Sequence, residues 1–457
     1  MGNTHETGSS RARAPNRGLV RLAWLSLLTG AGTGLVVGVF RLALERGDAY
    51  RNTLVDWAHQ WPVPGFLIAV ASIVAATTLA VWLVRRSGQP AGGSGIPHVE
   101  AVLSRDLPAA PLLLLPVKFV GGLLAISAGL ALGREGPSVQ MGANLGAVWG
   151  KSAPLSDSDR LALIAAGAGA GLATAFNAPI AGAVFVLEEL VRRFDARIAL
   201  AALGASGAAI AVARLLIGPQ PDFHLDVLPE SGFFPGLLFV VLGIFAGFAG
   251  VAYNHAILGF CAMSDRFTRS RPELRGAVIG VLVGALAWFA PDLVGGGDAL
   301  TQAGLAGQIS LTVLPLLLVV RFLLGPLSYA AGAPGGLFAP MLVLGAYLGL
   351  AFGLLCQFAL SDAAPPPVAF AVAGMAAFFT AVVRAPVTGI ILSIELTAAF
   401  NQLLPMLWAC FAAMAVPVVL GNPPIYDSLK QRILRGAIFA AKAQGSESSA
   451  RTRGSWR

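Results

Sequence analysis

The chain has 457 residues, of which 12% are charged and 56% hydrophobic, with 55 glycines, 29 prolines and a net charge of +8. A typical soluble domain is roughly one quarter charged, so a soluble enzyme, a disordered scaffold and a disulfide-built secreted module are excluded. Length and a mean hydropathy of +0.75 predict a polytopic helical membrane protein with about a dozen spans of about 20 residues.

Residues 1–18 are polar and read as a disordered cytoplasmic tail carrying Arg11, Arg13 and Arg17. The apolar run over 19–44 follows; it is too long for a signal-peptide core of about 7–15 residues and is taken as a retained first helix. Further apolar stretches lie at 64–84, 111–132, 161–190, 198–217, 233–260, 276–291, 311–331, 338–360, 367–382, 385–399 and 403–420. A C-terminal helix carrying Tyr426 and a second polar tail, 441–457, complete the chain. Basic residues gather between the runs, at Arg85 and Arg86, at Arg192, Arg193 and Arg197, at Arg266 to Arg275, and after residue 429. That is the positive-inside pattern. It puts both termini in the cytoplasm with an even number of crossings between them. No aromatic residues interleave these charges, so nucleic acid is not an expected partner. Cys261, Cys356 and Cys410 stand far apart and read as small buried hydrophobes.

Gly and Pro interrupt the apolar runs at GGSGIP (92–97), GREGP (133–137), FNAP (176–179), GAPGGLFAP (332–340) and VRAP (383–386). Such breaks leave backbone groups unpaired in lipid and are tolerated where the backbone lines a protein-enclosed, wet site. An internal repeat supports this. GREGPSVQMGANLG (133–146) lies over GLFAPMLVLGAYLG (336–349), and NAPIAGAVFVLE (177–188) over RAPVTGIILSIE (384–395). The first copy ends beside Arg192, Arg193 and Arg197, whereas nothing basic follows Glu395 until residue 430. The two ends therefore face opposite sides, which makes the repeat inverted, with halves at 19–217 and 233–420 and a substrate site where broken helices meet. The fold class is an all-α membrane protein of tilted and broken helices.

Charge inside the spans is rare and informative: Lys118, Arg134, Glu135, Glu188, Glu189, Arg321, Arg384 and Glu395. Gly133, Arg134, Glu135, Gly136 and Pro137 open a helix whose first N–H groups attract anions. The Glu135 carboxylate either fills that anion position when ionised and leaves it when protonated, or simply caps the helix. Gly93-Ser94-Gly95-Ile96-Pro97 and Gly336-Leu337-Phe338-Ala339-Pro340 share this grammar, and in the repeat Glu135 stands against Phe338. Glu188 matches Glu395, which favours a structural role for both. Glu189 has no counterpart; it is either a proton-passing group or a solvated surface carboxylate.

These residues together resemble the CLC family of chloride channels and chloride/proton exchangers: GSGIP, GREGP and GGLFAP stand in family order, with FNAPIAGAVFVLEEL and RAPVTGIILSIELT between and after, and Tyr426 in NPPIYDSL. The resemblance covers roughly residues 20–440. It implies that Ser94 and Tyr426 supply hydroxyl donors to a dehydrated chloride, with backbone N–H groups of Leu337 and Phe338 completing the shell alongside the Gly95–Ile96 turn. Glu135 would be the outward-facing gate and proton acceptor, Glu189 the inner proton-transfer group, and Glu100 its support. Ser94 stands where chloride-selective members carry serine. The resemblance further implies a homodimer with one pore per subunit, a short prokaryotic form without paired CBS modules, a bacterial inner-membrane location, and no metal or other cofactor. Ala398 replaces an acid present in some bacterial members. Having both Glu135 and Glu189 favours coupled H+/Cl− antiport over a passive gated chloride channel. A remote alternative of another class is an intramembrane serine protease pairing Ser206, in a GxSG pattern, with His255. The remaining histidines, His5, His59, His98 and His224, are expected in tails or loops.

Overall fold

The computed structural model describes residues 17–438 apart from 226, 230–231 and 269–270. The readings of both tails fall outside the described residues, except that Arg17 and Gly18 already belong to the first helix. The described residues form a helical protein in two halves of matching order. The first half contains α1 (Arg17–Ala58), α2 (Pro62–Ser87), α3 (Ile96–Leu103), α4 (Leu114–Ser127), α5 (Glu135–Ser152), α6 (Asp157–Phe176), α7 (Pro179–Phe185) and α8 (Ala196–Ile217). The second contains α9 (Phe233–Thr268), α10 (Glu273–Phe289), α11 (Asp298–Leu305), α12 (Leu314–Tyr329), α13 (Phe338–Leu360), α14 (Pro367–Val383), α15 (Pro386–Thr397) and α16 (Leu403–Val419). A last helix, α17, runs over 425–438.

By length and composition, 6 of these helices are long and apolar enough to cross a membrane, not about a dozen. The Gly and Pro breaks cut the remaining apolar sequence into shorter pieces. The run over 161–190, for example, is divided where Asn177 turns left-handed (φ 52°) and Pro179 starts α7. The second half repeats the device with Arg384 (φ 74°) and Pro386. Conversely, α1 continues from its apolar part at residue 44 to Ala58. Hydropathy reports lipid contact rather than helicity, and there the helix is fastened by charge: Arg51 pairs with Asp48 at 2.6 Å and donates to the Ser127 carbonyl.

Small residues set the packing inside each half. A Cβ on Gly142 of α5 would stand 2.0 Å from the Gly167 carbonyl of α6, and one on Gly167 2.2 Å from that of Gly142. Gly345 and Gly374 repeat this clasp between α13 and α14, at 2.4 and 2.2 Å. Any side chain at these positions forces the helices apart.

Three ties join or mirror the halves. Gly133 and Gly336 each donate N–H to the other's carbonyl, at 2.9 and 2.7 Å, the exchange of an antiparallel pair, so a local two-fold axis passes between them. Lys118 on α4 donates to the carbonyls of Ala91 and Gly93, while Arg321, 203 residues on, donates to those of Leu293, Gly295 and Gly296. Each buried cation thus fixes the loop that opens a short helix, α3 or α11. Finally, Glu188 accepts from the Val387 and Thr388 N–H groups of α15 at 2.9 and 2.6 Å. Glu395 accepts from those of Ile180 and Ala181 of α7 at 3.1 and 2.7 Å. Each acid caps the other half's helix, which is the structural role expected from their match in the repeat.

Hydrogen bonds to a charged acceptor contribute about 1.5–3 kcal/mol each. With at least two such bonds per acid, Glu188→Ala and Glu395→Ala should each lower the unfolding free energy of the purified protein by about 3 kcal/mol or more, read as a fall in Tm. An unchanged Tm in both would remove the reciprocal cap from the account.

Candidate functional site

The site forms where α5, α13, α3 and α17 converge. Because Gly133 and Gly336 pair at the two-fold, the first turns of α5 and α13 begin next to each other. Glu135, fully buried, lies across this junction: its Oε1 accepts from the Phe338 N–H at 2.6 Å. The carboxylate occupies the place where an anion would meet this helix end. The two glycines make room for it. A Cβ on Gly133 would come within 1.9 Å of Glu135 Oε2, and one on Gly336 within 2.1 Å of Oε1. Gly136, next on α5, lies against Ser94, where a Cβ would meet the Ser94 carbonyl at 2.5 Å and Oγ at 2.6 Å. Pro137 follows within the same first turn.

Ser94 precedes α3. Gly95 (φ 88°) caps that helix and Ile96 begins it, both buried. Gln140 of α5 packs its amide against Gly95 and donates to the Pro90 carbonyl. Tyr426 sits in the first turn of α17, fully buried, its ring 6.2 Å from that of Phe338. Phe338 is further enclosed by Phe379, Phe185 and Phe176. Leu337 precedes α13 and is also fully buried. The Ser94 and Tyr426 hydroxyls and Glu135 Oε2 are all buried and have no hydrogen-bond partner within the protein. Buried hydroxyls are ordinarily satisfied; these two, beside two helix starts, are among several in the described residues that are not.

Toward Arg192, Arg193 and Arg197, α7 passes into a π-helical turn, Val186–Leu190. It directs neighbouring acids differently: Glu188 reaches α15, while Glu189, 3% exposed, meets Arg192 at 3.3 Å. Glu189 is thus a buried group and not a solvated surface carboxylate. Glu100, on α3, is buried as its electrostatic neighbour.

On the other side, Arg134 is bound to the Asp222 and Asp298 carboxylates at 2.8 and 2.9 Å and to the Ala175 carbonyl. Arg41 shares Asp222 at 3.0 Å. The sequence reading missed Arg41, Asp222, Asp298 and the whole of α11. The signal for Arg41 was a charge within the first apolar run. For α11 it was Gly295-Gly296-Gly297, which lies 202 residues after Gly93-Ser94-Gly95. His98 is corrected as well: it is buried on α3 rather than placed in a loop, because the face beyond Gly95 packs on α5. Ser206 and His255 do not form a catalytic pair. Ser206 is buried on α8, which packs on α1, α6 and α7, whereas His255 is exposed on α9, which packs on α16, α14 and α12. Ala398 ends α15 in the left-handed conformation (φ 56°).

Two halves of broken helices around a two-fold, with helix starts and free hydroxyls buried between them, define a membrane transport protein of the inverted-repeat class. The chain belongs to the voltage gated chloride channel family, whose model matches residues 76–417. It is 36% identical over 437 residues to the H(+)/Cl(-) exchange transporter ClcA of Citrobacter koseri, covering 92% of this chain and 91% of that protein. The ClcA of Yersinia pseudotuberculosis is 37% identical over 432 residues, covering 89% and 87%. Among solved structures, a slow cyanobacterial Cl−/H+ antiporter matches with a TM-score of 0.87 and 32% identity over 91% of this chain and 98% of the other.

The contact between Gly133 and Glu135 gives a test by pairing substitutions. All three atoms nearest a Cβ at Gly133 belong to the Glu135 carboxyl group. Gly133→Ala should therefore destabilise the protein by about 1–3 kcal/mol through overpacking, and most of that loss should vanish in a Glu135→Ala background. Equal losses of Tm in both backgrounds would show that the carboxylate does not lie where it is described.

Proposed function

We propose that this protein exchanges chloride for protons across a bacterial inner membrane, as a homodimer with both termini cytoplasmic. The observation that carries this reading is the Glu135 carboxylate on the Phe338 N–H at 2.6 Å. Chloride and the ionised carboxylate are alternative occupants of one set of donors. Ser94 Oγ and Tyr426 Oη donate to the ion together with N–H groups of Leu337 and Phe338 and of the Gly95–Ile96 turn. Aligned dipoles compensate for the lost hydration without holding the ion behind a full positive charge. A proton arriving at Glu135 cancels its charge, weakens its hold on the Phe338 N–H and frees the donors for chloride. Departure of the proton restores the competitor. The two movements are thereby linked in opposite directions.

Glu189, 3% exposed beside Arg192, is the inner proton-transfer group, and Glu100, buried on α3, supports it. Arg134, Gly133, Gly136 and Pro137 support the gate by position: the first is locked by two carboxylates and the others keep the helix start open.

A chloride gradient imposed across proteoliposomes should drive protons uphill. Glu135→Ala and Glu189→Gln should each abolish proton movement while chloride flux stays measurable, and Ser94→Ala with Tyr426→Ala should weaken chloride binding. Chloride flux in the unaltered protein with no uphill proton movement would make it a passive channel instead.

A further inference from the structure

Arg192 takes no part in the proposed exchange, although its placement is unusual. It follows the π-helical turn with φ at 54°, a left-handed helix end that glycine fills without strain. The side chain at this position reaches two acids. Its Nε donates to the Glu189 carbonyl at 3.2 Å and one terminal nitrogen reaches the Glu189 carboxylate at 3.3 Å. The same guanidinium grips Asp427 with both terminal nitrogens, at 3.0 and 2.8 Å to its two oxygens. Asp427 is the residue after Tyr426, in the first turn of α17. One planar fork therefore spans the inner acid and the helix that presents the anion-binding tyrosine. Arginine is suited to such bidentate bridging where lysine is not.

The pairing is graded in exposure. The Glu189 side chain is 3% exposed, that of Asp427 30% and that of Arg192 43%. An isolated exposed ion pair contributes little, but here one member is buried and has its position set by the bridge. In its second turn, α17 is fastened again, by Lys430 to Asp106 at 2.8 Å beyond α3. The first turns of α17 are thus tied on one side to the segment after Ser94 and Glu100, and on the other to Glu189.

We propose that Arg192 is a positioning residue for proton transfer, holding the Glu189 carboxylate in register with the Tyr426 turn through Asp427. This rests on the proton-transfer reading of Glu189. When Glu189 is neutral, Asp427 keeps the guanidinium in place, so the carboxyl group meets the same partner each time it releases its proton. Asp427 acts only through Arg192 and touches neither the proton nor the anion.

The test uses the full chain in proteoliposomes, with the Cl−:H+ ratio and turnover measured beside chloride affinity in detergent. Arg192→Gln should slow proton-coupled turnover roughly tenfold, the scale of a small misplacement of a reacting group, and lower the proton share of exchange, with chloride affinity within about twofold. Asp427→Asn should fall in the same direction, and the double variant should be no worse than Arg192→Gln alone, since both cut one bridge. Arg192→Lys should recover part of the turnover. Unimpaired coupling in Arg192→Gln, additive losses in the double variant, or chloride affinity falling in step with turnover would each overturn the proposal. Glu189→Gln in the same preparation separates the two readings. If it still couples, the role of Glu189 falls first and that of Arg192 with it. If it is uncoupled while Arg192→Gln is normal, only the bridge falls.

Discussion

Two helices that begin at one point bring together two partial positive ends, and in a water-poor interior such ends attract whatever negative group is present. The Gly133–Gly336 pairing creates this situation for α5 and α13, and the Glu135 carboxylate is the charge that answers it. Much else follows from that meeting. Glycines are required where the carboxylate lies, the Ser94 loop is pressed against Gly136, and aromatic rings close around Phe338. In the proposed exchange, chloride competes with this carboxylate for the Phe338 N–H.

The scaffold is nearly symmetric but its chemistry is not. Lys118 and Arg321 fix equivalent loops, yet one loop leads to Ser94, Gly95 and Ile96, and the other to Gly296, Gly297 and Asp298. In the first half the loop offers a free hydroxyl. In the second, it offers an acid already consumed by Arg134. The same architecture thus supplies an unpaired hydroxyl on one side and a lock for Arg134 on the other. A similar division separates Glu188 from Glu189, one committed to capping α15 and the other to a buried position beside Arg192.

The motifs that bracket the site were legible because each is a backbone requirement: a glycine for close approach, a proline to begin a helix, and a charge inside an apolar run. Glu135 against Phe338 could be read from the repeat alone, since the 203-residue offset that aligns them also joins them. The pairing partners of Arg134 could not. Asp222 and Asp298 lie in polar connections where an acid looks ordinary, and only the tertiary fold brings them to one guanidinium. Helix ends were misjudged for a related reason. The charged end of α1 carries no lipid signal, and α3 and α11 are too short to show periodicity. His98 looked like a loop residue because a short helix packed against α5 buries polar side chains that hydropathy counts as exposed.

The exchange of caps between α7 and α15 also bears on how the chain is made. Ile180 and Ala181 present their N–H groups early in synthesis, but their acceptor, Glu395, is more than 200 residues away. Glu188 must likewise await Val387 and Thr388. Neither half supplies these caps for its own α7 or α15, and unpaired backbone groups are costly in hydrocarbon. The first half must therefore wait, incompletely settled in the bilayer, until the second arrives. A first half on its own leaves the N–H groups of Ile180 and Ala181 without their Glu395 acceptor.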